Sequence, residues 1–299
     1  MAPAVDVSGV DWTVRSGFWL RPRAILSGIS VSVQSGETLA VVGPNGAGKT
    51  TLIQLIAGLR LPSRGRVTVA GSAAQSKVAR AQTGFLPERS YLPEFLSGRE
   101  YLRFCGTLAS LQGSDLERRV ERGLEGVGLT GAADLRLKAY SKGMLQRVGI
   151  AGALVHDPKI LLLDEPMSGL DPDGREEVRK VIREASAAGK TIIFSTHLLE
   201  DVEALCDRVL MIDHGRAPAC VAAADSDRLF LTGVLVVFSG ASLPGAEPER
   251  VPGRFRKIFE DASSAAEGVR RLSLDGATVH RVVPRLRTPS GANPKEAPL

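Results

Sequence analysis

The sequence predicts an α/β domain built on a mostly parallel sheet, followed by a small C-terminal α+β appendage. Three observations carry that expectation. Short apolar runs without alternation recur between residues 5 and 216, as expected of strands buried on both faces. Segments of helical periodicity lie between them. Polar and charged residues gather where the apolar runs stop, which is where sheets of this kind bind ligands.

In chain order, TLAVV (38–42) is an apolar strand ending at a glycine loop. TLIQLIAG (51–58) reads as a helix that stops at Gly58, with Pro62 beyond. Residues 92–150 break the alternation, because YLRFCGTLASL, LERRVERGLEGVGL and MLQRVGIAGALV all read as helix. This is a helical insertion. ILLL (160–163) ends at Asp164-Glu165-Pro166. Residues 174–188 place Val178, Val181, Ile182 and Ala185 on one face and stop at Gly189. TIIF (191–194) ends at Ser195-Thr196-His197. A short helix at 198–206 leads to VLMI (209–212) and Asp213. After residue 216, LTGVLVVFSG and ATVHRVVPRL read as strands and ASSAAEGVRRLS as a helix, giving a module at 217–288. The tail 289–299 is rich in Pro, Gly and polar residues and is expected to be disordered.

Composition narrows the function classes. At 43% hydrophobic and 24% charged, the 299-residue chain is globular. Its longest apolar run, LFLTGVLVVF (229–238), is half the length of a membrane span of about 20 residues. Mean hydropathy is +0.03. No signal peptide is visible in MAPAVDVSGVDW. Cys105, Cys206 and Cys220 are scattered, without zinc or disulfide spacing, and suit a reducing cytoplasm. A net charge of +5 permits contact with an anionic surface. Aromatics at 5% argue against a base-stacking interface, and no nucleic-acid partner is expected.

GPNGAGKT (43–50) matches the pattern of a phosphate-binding loop, between a buried strand and a helix. Glycines let the backbone approach phosphates, and Lys49 reaches the β/γ-phosphates. The Thr50 hydroxyl suits Mg²⁺. Asp164 ends a buried strand and suits the Mg²⁺ water shell, while Glu165 can act as general base on an attacking water. A strand ending in Asp-Glu is weak evidence alone and strong evidence beside the loop. A lone histidine is more often structural, but His197 ends a strand on the loop's edge of the sheet, which points to a γ-phosphate contact. SGLDP (168–172) reads as a turn and helix start, with Asp171 or Asp173 as N-cap.

Taken together, GPNGAGKTT, YSKGMLQR, ILLLDEP, SGLDP and STH resemble, in order and spacing, the nucleotide-binding subunit of an ABC transporter. The resemblance covers residues 5–216 and implies a P-loop NTPase fold with a helical subdomain at about 92–150. It implies ATP and Mg²⁺ as cofactors and a head-to-tail homodimer with two ATP molecules at the interface. Gly43, Pro44, Asn45, Gly46, Ala47, Gly48, Lys49, Thr50 and Thr51 would be the Walker A loop. Asp164 and Glu165 would be the Walker B and catalytic carboxylates, Asp171 the D-loop aspartate and His197 the switch histidine. Ser141 and Gly143 would contact ATP held by the other subunit. The family stacks an upstream aromatic on adenine, and Phe18, Trp19 and Trp12 are the candidates.

Two departures stand out. Glu88 occupies the place of a glutamine that contacts Mg²⁺, and YSKGM replaces Leu-Ser-Gly-Gly-Gln. Both resemble the exporter branch in which ATPase and permease are separate chains. The expected function is therefore an ATP-hydrolysing subunit that powers export through an integral-membrane permease docked near residues 85–100. It would be cytoplasmic and peripheral at the inner face of the membrane. The alternatives are a soluble ABC-type ATPase acting on nucleic acid or ribosomes, and a weakly hydrolytic regulatory module.

Overall fold

Thr38–Val42 is buried at all five positions, and Ile160–Leu163 and Thr191–Thr196 are buried throughout. Strands with no exposed position need cover on both faces, which dictates a layered α/β arrangement. The computed structural model describes residues 2–16, 21–89, 91–225, 231–240, 243–248, 252–259 and 262–286. The chain divides into two units, Met1–Ala223 and Ala224–Leu299.

The first unit opens with β1 (Val5–Ser16), β2 (Arg21–Val33), β3 (Thr38–Val42) and α1 (Lys49–Ile56). β4 (Arg64–Val69), β5 (Ser72–Ala73), α2 (Lys77–Ala81) and β6 (Thr83–Leu86) follow. Three helices come next: α3 (Gly98–Leu108), α4 (Gly113–Gly126) and α5 (Lys142–Leu154). The unit closes with β7 (Ile160–Leu163), α6 (Pro172–Ala187), β8 (Thr191–Thr196), α7 (Leu199–Leu205), β9 (Arg208–Asp213) and β10 (Arg216–Ala222).

One sheet has the order β10-β9-β3-β8-β7-β6. Its strands from β9 to β6 are parallel, and β10 joins antiparallel at the edge. Because β10 completes this sheet, the first unit runs past residue 216 to Ala223. A second sheet, β2-β1-β4-β5, is antiparallel. It was not anticipated above, although Ile29, Val31 and Val33 point inward while Ser30 is exposed, a clean period of two. One core joins both sheets through α1, whose Leu52, Ile53, Leu55 and Ile56 are buried with Val7, Val67, Leu39 and Ile193. Helix α1 starts at Lys49, two residues before the sequence reading, so Lys49 and Thr50 belong to its first turn.

The helical subdomain is pinned by its caps and a small core. The Ser97 hydroxyl accepts from the Glu100 N–H, and the Glu100 carboxylate accepts from the Ser97 N–H, a reciprocal box that starts α3. Leu102, Val120, Leu124 and Val148 are fully buried on α3, α4 and α5.

The second unit contains β11 (Leu231–Ser239), β12 (Glu247–Pro248), β13 (Arg254–Phe259), α8 (Ala262–Leu274) and β14 (Thr278–Leu286). The sheet order is β12-β13-β11-β14, antiparallel throughout. Val236, Phe238, Leu243, Ala265 and Leu272 form its core. The tail 289–299 lies outside the described residues. Among the described residues, no helix is long and apolar enough to cross a membrane.

Candidate active site

The loop after β3 must turn sharply against two neighbours, and glycine is required for both approaches. A β-carbon on Gly43 would collide with the Ile212 carbonyl oxygen at the end of β9. Gly48 has φ 114, and a β-carbon there would lie 2.5 Å from Leu26 Cδ2 on β2. The chain enters α1 directly afterwards, so the helix's unpaired N–H groups and positive end face the loop. That is an anion site before any side chain is considered.

Lys49 then projects from the first turn, 5% exposed. Its ammonium donates to the Gly43 carbonyl at 2.8 Å and lies 3.2 Å from Glu165 Oε1. Thr50 Oγ1 donates to Asp164 Oδ1 at 3.1 Å, and Ser195 Oγ donates to the same oxygen at 2.7 Å. The other oxygen, Asp164 Oδ2, is buried with no partner. Burial pushes the Asp164 carboxyl above the ordinary range; the Ser195 and Thr50 hydrogen bonds pull it back, while Glu88 and Glu165 add repulsion. A buried carboxylate held by two hydroxyls, with one free oxygen, has the chemistry of a ligand for a hard cation. Among the described residues, no group of three or more His, Cys, Asp or Glu could hold a metal by itself. A Mg²⁺ bound mainly through phosphate oxygens, one carboxylate and one hydroxyl fits that inventory.

Glu165 sits where the chain leaves β7, with φ 48. A non-glycine residue in this region costs about 1–3 kcal/mol and persists only where the surroundings hold it. Here the Glu165 N–H donates to Ser195 Oγ at 2.7 Å, and Glu165 Oε2 lies 2.9 Å from His197 Nδ1. Lys49, Thr50, Asp164, Glu165 and His197 are thus brought to one edge of the parallel sheet. Lys49, Thr50, Glu165 and His197 line a cleft of about 560 Å³ that also takes in Arg23, Ile25, Glu88 and Ser168, and Asp164 lies buried beneath it, bonded to Thr50. That volume suits a nucleotide-sized ligand.

The ABC transporter family profile matches residues 26–168. An ABC transporter ATP-binding protein of Synechocystis sp. is 42% identical over 217 residues, which is 72% of this chain and 61% of the relative. A solved structure of an ATP-binding subunit of an ABC transporter superposes with a TM-score of 0.65 at 31% identity, over 76% of this chain and 92% of that one. The chain belongs to the ABC transporter family. The Nod factor export ATP-binding protein I of Rhizobium sp. is 36% identical over 215 residues, 71% of this chain and 69% of that protein. The chain spans less than two thirds of the length of the Synechocystis relative.

Other residues expected from the ABC transporter resemblance stand apart from this cleft. Ser141, Gly143 and Asp171 do not line it. Ser141 caps α5, its hydroxyl accepting from the Met144 N–H at 3.2 Å. Asp171 rather than Asp173 caps α6, accepting from the Gly174 N–H at 3.1 Å. The Lys142 ammonium lies directly over Gly169 of the same chain, where any β-carbon would meet it. Phe18 and Trp19 lie outside the described residues. Trp12 packs partly buried against the core, with the Arg60 guanidinium 4.6 Å from its ring centroid, so a neighbour already covers one face.

Sequence reasoning missed Ser195, Arg23 and Ile25. Arg23 and Ile25 reach the cleft only because β2 passes beside the loop, a tertiary fact with no local sequence mark. Ser195 had a signal: a hydroxyl inside an otherwise apolar strand, two residues before a candidate histidine.

Proposed function

We propose that the chain is the ATP-hydrolysing subunit of an ABC exporter and works through a separate membrane permease. The observation that carries this reading is the convergence of Lys49, Thr50, Glu165 and His197 on one cleft, with Asp164 bonded to Thr50 behind it and its Oδ2 without a hydrogen-bond partner. ATP enters with its phosphates on the Gly43–Thr51 loop and the N-terminus of α1. Lys49 neutralises the β/γ-phosphates. Thr50 and Asp164 would hold Mg²⁺, which when bound would offset phosphate charge and help orient the γ-phosphoryl group. Glu88 lines the same cleft, and its carboxylate would be a further group available to that ion.

Glu165 takes a proton from water as the water oxygen attacks the γ-phosphorus. The bond from that phosphorus to the β–γ bridging oxygen breaks, and ADP leaves with inorganic phosphate. His197 holds Glu165 and faces the transferring group. Ser141 and Gly143, absent from their own cleft, complete the cleft of a second copy in a head-to-tail homodimer. The capped N-terminus of α5 supports that role, because it offers N–H groups to an anion.

The permease contact is assigned to the segment between β6 and α3. Tyr91 is 87% exposed and Phe95 72%, which leaves both rings in that segment available to a partner. The Rhizobium relative's name supports export over import. The ATPase would then sit peripherally at the inner membrane face.

The test is hydrolysis by the purified chain together with recovery from solubilised membranes. Wild-type protein is expected to turn over Mg²⁺-ATP and to co-purify with a permease. Glu165→Gln is expected to keep ATP binding and lose roughly 10²–10⁴-fold in kcat. Stimulation by DNA or RNA, with no membrane protein retained, would overturn the exporter reading.

A further inference from the structure

Ser195 is completely buried inside β8, a strand whose interior residues are otherwise apolar. A hydroxyl in such a place must be hydrogen-bonded, and this one is bonded twice. It donates to Asp164 Oδ1 and accepts from the Glu165 N–H, each at 2.7 Å. One oxygen therefore grips two consecutive residues with different tasks. Resting on the roles proposed above for Asp164 and Glu165, we infer that Ser195 is a positioning residue for the hydrolytic reaction: its hydroxyl sets both carboxylates at once.

The geometry has two consequences. On the Asp164 side, Thr50 and Ser195 both occupy Oδ1, which leaves the buried Oδ2 as the oxygen without a hydrogen-bond partner. Without Ser195, Thr50 alone would hold Oδ1 at a longer 3.1 Å, and the carboxylate could rotate. On the Glu165 side, the N–H bond anchors a residue whose φ of 48 is otherwise unfavourable. His197, two residues along the same strand end, holds the Glu165 side chain at 2.9 Å. Residues 195 and 197 thus fix Glu165 by its backbone and by its carboxylate. The strand delivers both grips with one register, since Ser195 pairs with Val41 beside the phosphate-loop strand and Phe194 with Leu163 beside the Asp-Glu strand.

The experiment uses the full chain as wild type, Ser195→Ala, Ser195→Thr and Glu165→Gln. Three quantities are read: kcat and KM for ATP, the Mg²⁺ concentration for half-maximal rate, and the rise in Tm caused by ATP with Mg²⁺ and with EDTA. Ser195→Ala is expected to lose about tenfold or more in kcat while KM changes by less than about threefold. Its Mg²⁺ requirement should rise several-fold, and the Mg²⁺-dependent part of the Tm rise should shrink while the part seen in EDTA persists. Ser195→Thr keeps the hydroxyl and should recover most of the loss. A Ser195→Ala protein with wild-type kcat and Mg²⁺ dependence overturns the inference. So does an equal loss in Ser195→Ala and Ser195→Thr, or a fall in the EDTA-insensitive part, which would mark a purely structural role. If wild type itself hydrolyses no ATP, or Glu165→Gln hydrolyses it as well as wild type, the hydrolytic reading fails instead. The Mg²⁺-dependent Tm rise then still decides what Ser195 does for Asp164.

Discussion

The two units of this chain each contain a sheet, and the sheets solve opposite problems. In the parallel sheet, β3, β7 and β8 are buried at every position, so side chains of both faces are committed to packing. Charged groups can emerge only at strand ends, and Asp164, Glu165 and His197 do so together. In the second unit, β13 alternates between half-buried and exposed positions after its first two residues, and the sheet packs its apolar side chains with those of α8. Among the described residues its polar contacts are spread along the strands, such as Ser239 with His280 and Arg256 with Glu247. A sheet with two covered faces concentrates chemistry at an edge, and a sheet with one covered face disperses it.

The sharpest way to break this contrast uses two phenylalanines, Phe194 and Phe238, both fully buried. Either change to alanine should cost about 3–5 kcal/mol in its own unit. Phe194→Ala sits beside Ser195 and should also weaken ATP binding and hydrolysis. Phe238→Ala should lower the unfolding transition of the second unit and leave ATP binding intact, as isothermal titration and calorimetry would record. Loss of ATP binding in Phe238→Ala would mean that the site does not belong to the first sheet alone.

A smaller effect concerns the cost of the edge itself. Burial raises the Asp164 carboxyl above its ordinary value, so the ionised form is disfavoured in the folded protein. At low pH both states hold the proton and nothing is lost. As pH rises through the unfolded value, the unfolded chain releases its proton first, and folding stability falls until pH passes the folded value. Asp164→Asn removes that cost and should raise Tm at neutral pH. The gain should vanish below the ordinary carboxylate range, and Mg²⁺-dependent ATP stabilisation should be lost at every pH. An unchanged or lower Tm at neutral pH would show that the buried charge is already compensated.

The smallest effect compares two serine hydroxyls. Ser239 on β11 meets His280 Nε2 at 2.8 Å on an exposed face. Ser239→Ala should change stability by less than about 0.5 kcal/mol and hydrolysis not at all, in contrast to Ser195→Ala. A hydrolytic defect in Ser239→Ala would give the second sheet a part in the reaction.

Legibility in the sequence follows the same division. The parallel strands could be read because double burial leaves unbroken apolar runs, and the phosphate loop because its residues are consecutive. Helix α6 was readable to within two residues, since Val178, Val181, Ile182 and Ala185 keep one face. The antiparallel sheet went unread despite the Ile29, Val31, Val33 alternation. Its partner β1 changes register between Val7 and Val10, around Gly9 with φ 58, and that irregularity hides the period of two. At the site, Lys49, Thr50, Asp164 and Glu165 announced themselves by local pattern. Ser195 carries only a faint local mark, a hydroxyl inside an apolar strand, because its partners lie 31 and 30 residues away. Arg23 and Ile25 carry no local mark at all.

The pairing of Lys49 with Glu165 has a consequence for timing. At 3.2 Å the ammonium and the carboxylate neutralise one another, and His197 occupies the second carboxylate oxygen. Both carboxylate oxygens of Glu165 are therefore already engaged. The triphosphate is the stronger claimant for Lys49, since it brings several negative charges to the positive end of α1. Under the proposed roles, substrate arrival would draw Lys49 away and release one oxygen of Glu165, so that the binding step itself would open the position a water must reach.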